Sequence, residues 1–231
     1  MSGQAESGKW VTVLIRDWKY TDAILPVAAA VVFVLVGLYF AGSMGGPAEP
    51  LLATWLWIFG ALFIVYAVVS HYGFLRPVRN GAVGITLPVL MSIGLYAALA
   101  VTVSVIIPVD AIFLVVAFVG AAPALFLSST NIEEGVAMDI LLGLWLSAAG
   151  VMLLIKVFGL SSMIGPGSLV VIVAGMFVAS VVVDAVRAYR GVQGGNVMVV
   201  GYHGGLDALL VILVVTSVVA MMGLGLMVGG Y

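Results

Sequence analysis

The chain has 231 residues, of which 64% are hydrophobic and only 8% are charged, and its mean hydropathy is +1.32. This composition excludes a water-soluble globular protein, because soluble domains carry about 25% charged residues. A formal net charge of −2 gives no reason to expect a nucleic-acid partner. The absence of cysteine excludes disulfides, thiolate catalysis and zinc–thiolate sites.

Residues 1–21 form a segment of their own before the apolar part of the chain. Trp10, Leu14 and Trp18 recur there at helical spacing, with charged residues between them. Two interpretations stay open for this cytoplasmic segment: a short helix lying in the membrane interface, or a solvated tail that leads into the first span.

Residues 22–231 consist of apolar stretches separated by short charged clusters. A hydrocarbon core of about 30 Å needs about 20 apolar residues per helix, so the clusters indicate loops. The predicted fold class is all-α, a polytopic membrane protein with seven transmembrane helices. The predicted spans are residues 22–41, 51–70, 81–107, 111–127, 136–158, 168–186 and 200–228.

The boundary between the third and fourth predicted spans is short. Only Pro108, Val109 and Asp110 interrupt the apolar run, and a proline followed by a charge favours a tight turn. If that turn does not form, the chain has six spans. Prolines within spans, at Pro26, Pro88 and Pro123, are compatible with membrane helices.

Orientation follows from the lysines and arginines, which accumulate in short cytoplasmic loops. Seven of the eight such residues fall on one side of the seven-span topology, and only Lys156 falls on the other. We therefore predict a cytoplasmic N-terminus and an external C-terminus, in a prokaryotic cell membrane.

Two carboxylates, Asp184 and Asp207, fall within the last two predicted spans, close to their cytoplasmic ends. Ionisable groups in spans are costly and are usually paired or functional. Two neighbouring carboxylates in a low dielectric tend to share one proton, and their oxygens are suitable ligands for Ca²⁺. A simpler interpretation for Asp184 is an ion pair with Arg187, three residues further along the same helix.

From the fourth span onward the chain resembles the Bax inhibitor-1 family, also called the transmembrane Bax inhibitor motif family. The resemblance covers roughly half of the chain and depends on the order and spacing of short motifs. These motifs are AFVGAA at 117–122, LLGL at 141–144, VFGLSS at 157–162, DAVR at 184–187 and LD at 206–207.

This resemblance implies a seven-helix fold with the C-terminal helix enclosed by the other six. It also implies a pH-sensitive calcium leak channel gated by a di-aspartyl pair, to which Asp184 and Asp207 correspond. In the family, an arginine from helix two latches the pair. The candidate latch here is Arg76, with Arg79 or His71 as substitutes.

The chain departs from the family at three places. No glutamate occurs within residues 61–70 of the second span, Lys156 replaces an asparagine, and Ala185 and Val186 replace the usual Thr-Gln. These differences affect the expected gating and calcium selectivity more than the expected fold.

Other functions remain as alternatives. A membrane scaffold or regulator without transport is compatible with the sequence. An intramembrane aspartyl protease is less favoured, because Gly204-Gly205-Leu206-Asp207 does not match the required Gly-x-Gly-Asp. A microbial rhodopsin is excluded, since the last span has no lysine for a retinal Schiff base. The expected partners are the lipid bilayer, Ca²⁺ and H⁺; we expect no enzymatic activity, no resident cofactor and a monomer.

Overall fold

A computed structural model describes residues 11–14, 20–43, 49–78, 80–106, 109–131, 136–192, 196–201 and 208–228. These residues are mostly helical (78%). Their α-helices are α1 (Thr21–Ser43), α2 (Glu49–Val69), α3 (Leu87–Ile106), α4 (Ile112–Ser128), α5 (Ile140–Val157), α6 (Pro166–Gly191) and α7 (Ala208–Val228).

Six of these helices are long and apolar enough to cross a membrane, and the 17-residue α4 is a shorter apolar helix. At about 1.5 Å per residue, α4 is about 25 Å long, slightly less than a typical hydrocarbon core. The composition and the helices together identify a multi-pass integral membrane protein.

The predicted break between the third and fourth spans is confirmed, because α3 and α4 are separate helices. Asp110 contributes to this break, since its Oδ1 accepts a hydrogen bond from the backbone N–H of Ile112 at 2.9 Å. Such a side-chain turn occupies a backbone donor that would otherwise be unpaired at the start of α4.

The all-α prediction misses two small sheets. Strands β1 (Val11–Leu14), β2 (Tyr72–Val78), β3 (Gly81–Thr86) and β6 (Val197–Val200) form a four-stranded sheet in the order β1-β2-β3-β6, in which only β3 and β6 are parallel. Strands β4 (Ser129–Asn131) and β5 (Val136–Met138) form an antiparallel pair.

Three predicted spans are therefore shorter than expected at their starts. Residues 81–86 and 136–138 and Val200 were assigned to the starts of the third, fifth and seventh spans, yet they belong to β3, β5 and β6. These stretches are rich in valine and isoleucine, which fit strands as well as apolar helices. Pro88 is consequently the second residue of α3, where its missing N–H leaves no hydrogen bond unmade.

The N-terminal segment also differs from its predicted helix. Residues 11–14 form β1, which pairs with β2 in the register Val11 to Leu75 and Leu14 to Tyr72. The helical interpretation is therefore wrong for this stretch, because β2 offers a free edge and the sequence Val-Thr-Val-Leu suits a strand. The two tryptophans at 10 and 18 lie outside the described residues.

All six strands belong to the connections that precede α1 or join α2 to α3, α4 to α5 and α6 to α7. In a bundle whose consecutive helices run in opposite directions, these connections lie at the same end. The contacts agree, since α6 packs against β3, β4, β5 and β6. We call this end of the bundle the strand end, and the other the opposite end.

The central helix is α6, and the expectation that the C-terminal helix is enclosed is not met. Along its length α6 buries side chains against α3, α4 and α7. Helix α7 is not enclosed, because one of its faces, formed by Val215, Val218, Met222 and Leu226, is 40–62% exposed. Small residues explain the position of α6, because Gly175 lets Ala117 and the backbone of α4 approach closely.

Helices α4 and α5 touch through their backbones at a pair of glycines. A Cβ atom on Gly120 would lie 2.7 Å from the amide nitrogen of Val151, and one on Gly150 would collide with the carbonyl oxygen of Gly120. Such contacts are typical of membrane helix pairs, where packing of small residues replaces the hydrophobic effect as the source of association.

We expect Gly150→Ala to destabilise the protein by about 1 to 3 kcal/mol, because the two helix backbones must separate to admit the methyl group. Thermal unfolding in detergent measures the effect. Gly94→Ala is the matched control: it lies within α3 with no atom within 4 Å of the added Cβ, and helix propensity favours the change. Equal melting temperatures for the two variants would contradict the proposed backbone contact.

Candidate functional site

Asp184 lies in α6 near the strand end and is only 6% exposed. Its Oδ2 accepts a hydrogen bond from the backbone N–H of Gly201 at 3.4 Å. Gly201 directly follows β6, which is held in place by its parallel pairing with β3. The carboxylate therefore joins the central helix to the turn that leads from the sheet toward α7.

Gly201 is required at this turn for two reasons. Its φ of +76° lies in the left-handed region, which favours glycine. A Cβ atom at this position would also lie 2.5 Å from Oγ1 of Thr86 and 2.7 Å from Cγ2 of Val89. Thr86, the last residue of β3, therefore lies in the same layer as Asp184 and Gly201.

Several buried polar atoms near this layer have no hydrogen-bond partner among the described residues: Oγ of Ser70, Nδ1 of His71 and Oγ1 of Thr86. Ser70 and His71 directly follow α2, and Thr86 pairs with Gly73 of β2, two residues after His71. Buried polar groups are costly unless they are hydrogen-bonded, so a further polar partner in this layer would stabilise these atoms.

Asp22 is a second buried carboxylate at the strand end, and it is not among the site residues predicted from the sequence. It lies in the first turn of α1 and is 4% exposed. It shares the buried face of α1 with Phe33, whose ring contacts Phe59 and Phe63 of α2. Because α1 and α2 are antiparallel, counting back along these helices places Asp22 level with Ser70.

One signal in the sequence could have identified Asp22. It is an acidic residue at the start of an apolar span, on the same helix face as Pro26 four residues later. Gly201 and Thr86 had no comparable signal, because their roles depend on the pairing of β3 with β6.

Asp207 and Arg79 lie outside the described residues. Asp207 immediately precedes Ala208, the first residue of α7. The pairing of Asp184 with Asp207 therefore stays a prediction, and the same holds for Arg79 as a latch.

The structure does not bring Arg76 close to Asp184. Arg76 is exposed on β2, opposite Val83. The residue of β2 in the Thr86 layer is Gly73, about 10 Å away along the strand. His71 is the candidate latch that lies nearest to this layer along the chain, and its ring packs against Tyr72 with 4.2 Å between centroids.

Arg187 contacts α4, which disfavours the simple ion pair with Asp184. Its Nε donates to Oγ of Ser129 at 3.1 Å and its Nη2 donates to the carbonyl oxygen of Phe126 at 2.5 Å. The guanidinium also lies 3.8 Å above the Phe126 ring. Arg187 thus satisfies the C-terminal end of α4, where unpaired carbonyls and the helix dipole favour a cation.

In the described part of the chain, no group of three or more His, Asp or Glu residues is placed to hold a metal ion. Comparison of the chain with models of known protein families, with curated proteins and with solved structures finds no match. The site is therefore interpreted from its own chemistry: a buried carboxylate, nearby buried hydroxyl groups and an imidazole, at one end of an apolar bundle.

We expect Gly201→Ala to destabilise the protein by at least about 1 to 2 kcal/mol, the cost of a left-handed conformation for an L-residue, with the collision against Thr86 added. Gly159→Ala is the matched control, because Gly159 has a similar φ of +68° but no atom within 4 Å of the added Cβ. Melting temperatures in detergent measure both variants. A loss for Gly159→Ala as large as that for Gly201→Ala would show that the contact with Thr86 contributes nothing.

Proposed function

We propose that this protein is a proton-sensitive cation leak of the membrane, chiefly for Ca²⁺, in which Asp184 and Asp207 form the ion site. The observation that carries the proposal is the burial of Asp184 in the central helix, in one layer with the buried hydroxyl group of Thr86. A buried ionisable group in a membrane bundle is costly to keep and typically marks an ion or proton pathway.

The resemblance to the Bax inhibitor-1 family supports the same function. Asp184 and Asp207 stand where that family carries its gating aspartates. We further propose that all seven helices cross the membrane and that the N-terminus is cytoplasmic. In that orientation the strand end faces the cytoplasm, together with the basic side chains of Arg76, Arg187 and Arg190.

The chemistry of the site suits competition between protons and Ca²⁺. Carboxylate and hydroxyl oxygens are hard ligands, and Ca²⁺ accepts six to eight of them in flexible geometry, with water completing the shell. Two close carboxylates repel each other, so a shared proton or a cation stabilises the pair. Among the candidate latches, the exposure of Arg76 favours His71.

We expect purified protein in liposomes to conduct Ca²⁺ with a flux that rises between about pH 8 and pH 6. Asp207→Asn should remove most of this pH dependence, because the shared proton is lost, and Asp184→Asn should reduce it similarly. Flux measured with an entrapped calcium indicator tests the expectation.

Asp139→Asn provides the matched control for the loss of one carboxylate. Asp139 caps α5 by accepting a hydrogen bond from the N–H of Leu142 at 3.1 Å, and asparagine caps a helix equally well. Its flux should equal that of the wild type. Flux at the level of protein-free liposomes at every pH would contradict the leak and favour a scaffold or regulator without transport.

A further inference from the structure

A second polar cluster lies in the middle of the bundle. The Tyr96 hydroxyl of α3 donates to Oγ1 of Thr216 in α7 at 2.5 Å and lies 3.3 Å from Oγ of Ser217. Oγ1 of Thr216 donates in turn to the carbonyl oxygen of Ile212 at 2.7 Å. Tyr96 is 1% exposed and lies half-way along α3, so this cluster is far from both ends of the helix.

The Tyr96 ring is enclosed by aromatic side chains from two other helices. Its centroid is 5.7 Å from that of Phe59 in α2 and 4.9 Å from that of Phe177 in α6. Four helices, α2, α3, α6 and α7, therefore meet at this one side chain. Two hydroxyl contacts and two ring contacts fix its orientation.

Buried hydroxyl groups lead from Asp184 to Tyr96. Helices α3 and α6 are antiparallel, and the contact of Tyr96 with Phe177 puts Ser92 level with Ser180. Both serines are fully buried, one turn from Tyr96 and from Asp184 respectively. Along α6, Phe177 is about 10 Å from Asp184. The layer of Asp184, the two serines and the Tyr96 cluster thus follow each other at intervals of one helical turn.

Beyond Tyr96, toward the opposite end, this polar series stops. The buried side chains of α3, α6 and α7 that follow in the described residues are apolar until Ser168 at the first turn of α6. They include Leu99, Val103, Val170, Ala174, Ala220 and Leu224. The Tyr96 cluster therefore separates two halves of the bundle core. The half toward the strand end contains polar groups, and the described part of the half toward the opposite end contains none before Ser168.

We propose that Tyr96 is the gate of this protein: its ring, held by Thr216 and Ser217, closes a polar route that starts at Asp184. The proposal rests on the proposed leak function, because it places the barrier on the route of the same cation. Opening requires the Tyr96 hydroxyl to leave α7, which frees the ring to turn away from Phe59 and Phe177. The hydrogen bonds between α3 and α7 thus keep the closed state populated.

Cysteine accessibility tests the gate without relying on transport. The chain has no cysteine, so one introduced thiol is the only target of a water-soluble cationic methanethiosulfonate reagent. Ser92→Cys lies on the Asp184 side of Tyr96, and Val103→Cys lies beyond it. In the otherwise wild-type protein, we expect the first thiol to react and the second to stay unreactive in sealed inside-out vesicles, where the reagent reaches the protein only from the strand end.

Two gate variants are then combined with Val103→Cys. Tyr96→Phe keeps the ring and removes its hydroxyl, while the double variant Thr216→Val, Ser217→Ala keeps Tyr96 and removes its partners. Each should raise the labelling rate of the Val103→Cys thiol about three- to tenfold, the effect expected for the loss of one hydrogen bond between membrane helices. Tyr189→Phe, an exposed tyrosine of α6, serves as the control and should leave the rate unchanged.

Each result decides the proposal. A labelling rate at Val103→Cys that neither gate variant changes, in protein with normal helix content and a single size-exclusion peak, overturns the gate. An unreactive Ser92→Cys thiol overturns the polar route. If the gate variants raise the labelling rate of Val103→Cys as expected but the wild-type protein conducts no Ca²⁺, the gate is supported and the leak is overturned. Failure of the gate and failure of the leak are therefore distinguishable.

Discussion

The burial of Asp184 in the central helix of an apolar bundle is the constraint on which the structure of the strand end depends. A carboxylate removed from water needs hydrogen-bond donors, and the backbone N–H of Gly201 is one of them. For that donor to arrive, β6 must pair with β3 and the chain must then turn with a left-handed glycine. The same turn brings Thr86 and its buried hydroxyl into the Asp184 layer.

The strands at this end have a related cause. Helix ends expose unpaired backbone groups, and these are costly near a bilayer unless they find partners. Pairing β1, β2, β3 and β6 into one sheet gives the backbone groups of these connections hydrogen-bond partners, and Val83, Ile85 and Val200 pack with the core of the bundle. Arg187 does the same for the last turn of α4 through Phe126 and Ser129. The strand end is thus a hydrogen-bonded cap, and Asp184 lies directly beneath it.

Much of this architecture could be predicted from the sequence, because hydropathy and charge are sufficient to locate apolar helices. The separation of α3 from α4 followed from a proline and Asp110, and Asp184 was expected within the sixth span, near its cytoplasmic end. The strands were not predicted, because a valine-rich strand that runs directly into an apolar helix has the same hydropathy as a longer helix. The ion pair of Asp184 with Arg187 was an alternative that rested on spacing alone, and spacing cannot reveal that the end of α4 offers the arginine two acceptors and an aromatic ring.

The residues between the site and the middle of the bundle were missed for a similar reason. Apolar residues surround Tyr96, Ser92 and Ser180 along their own helices. A tyrosine in such a sequence is typical of an ordinary core position. Their arrangement follows from the antiparallel packing of α3 on α6, together with the contact of α3 with Thr216 of α7. Partners that lie 120 residues apart in the chain cannot be recognised from the spacing of residues within one helix.

The most direct test of the central claim, that protons and Ca²⁺ compete for Asp184, is the release of protons when Ca²⁺ is added to the purified protein. The measurement uses a weakly buffered detergent solution with a pH indicator, since metal ions bind the deprotonated form of their ligands. We expect proton release from the wild type and from Asp139→Asn, and little or none from Asp184→Asn. Equal release from the wild type and Asp184→Asn, or none from the wild type, would contradict the account.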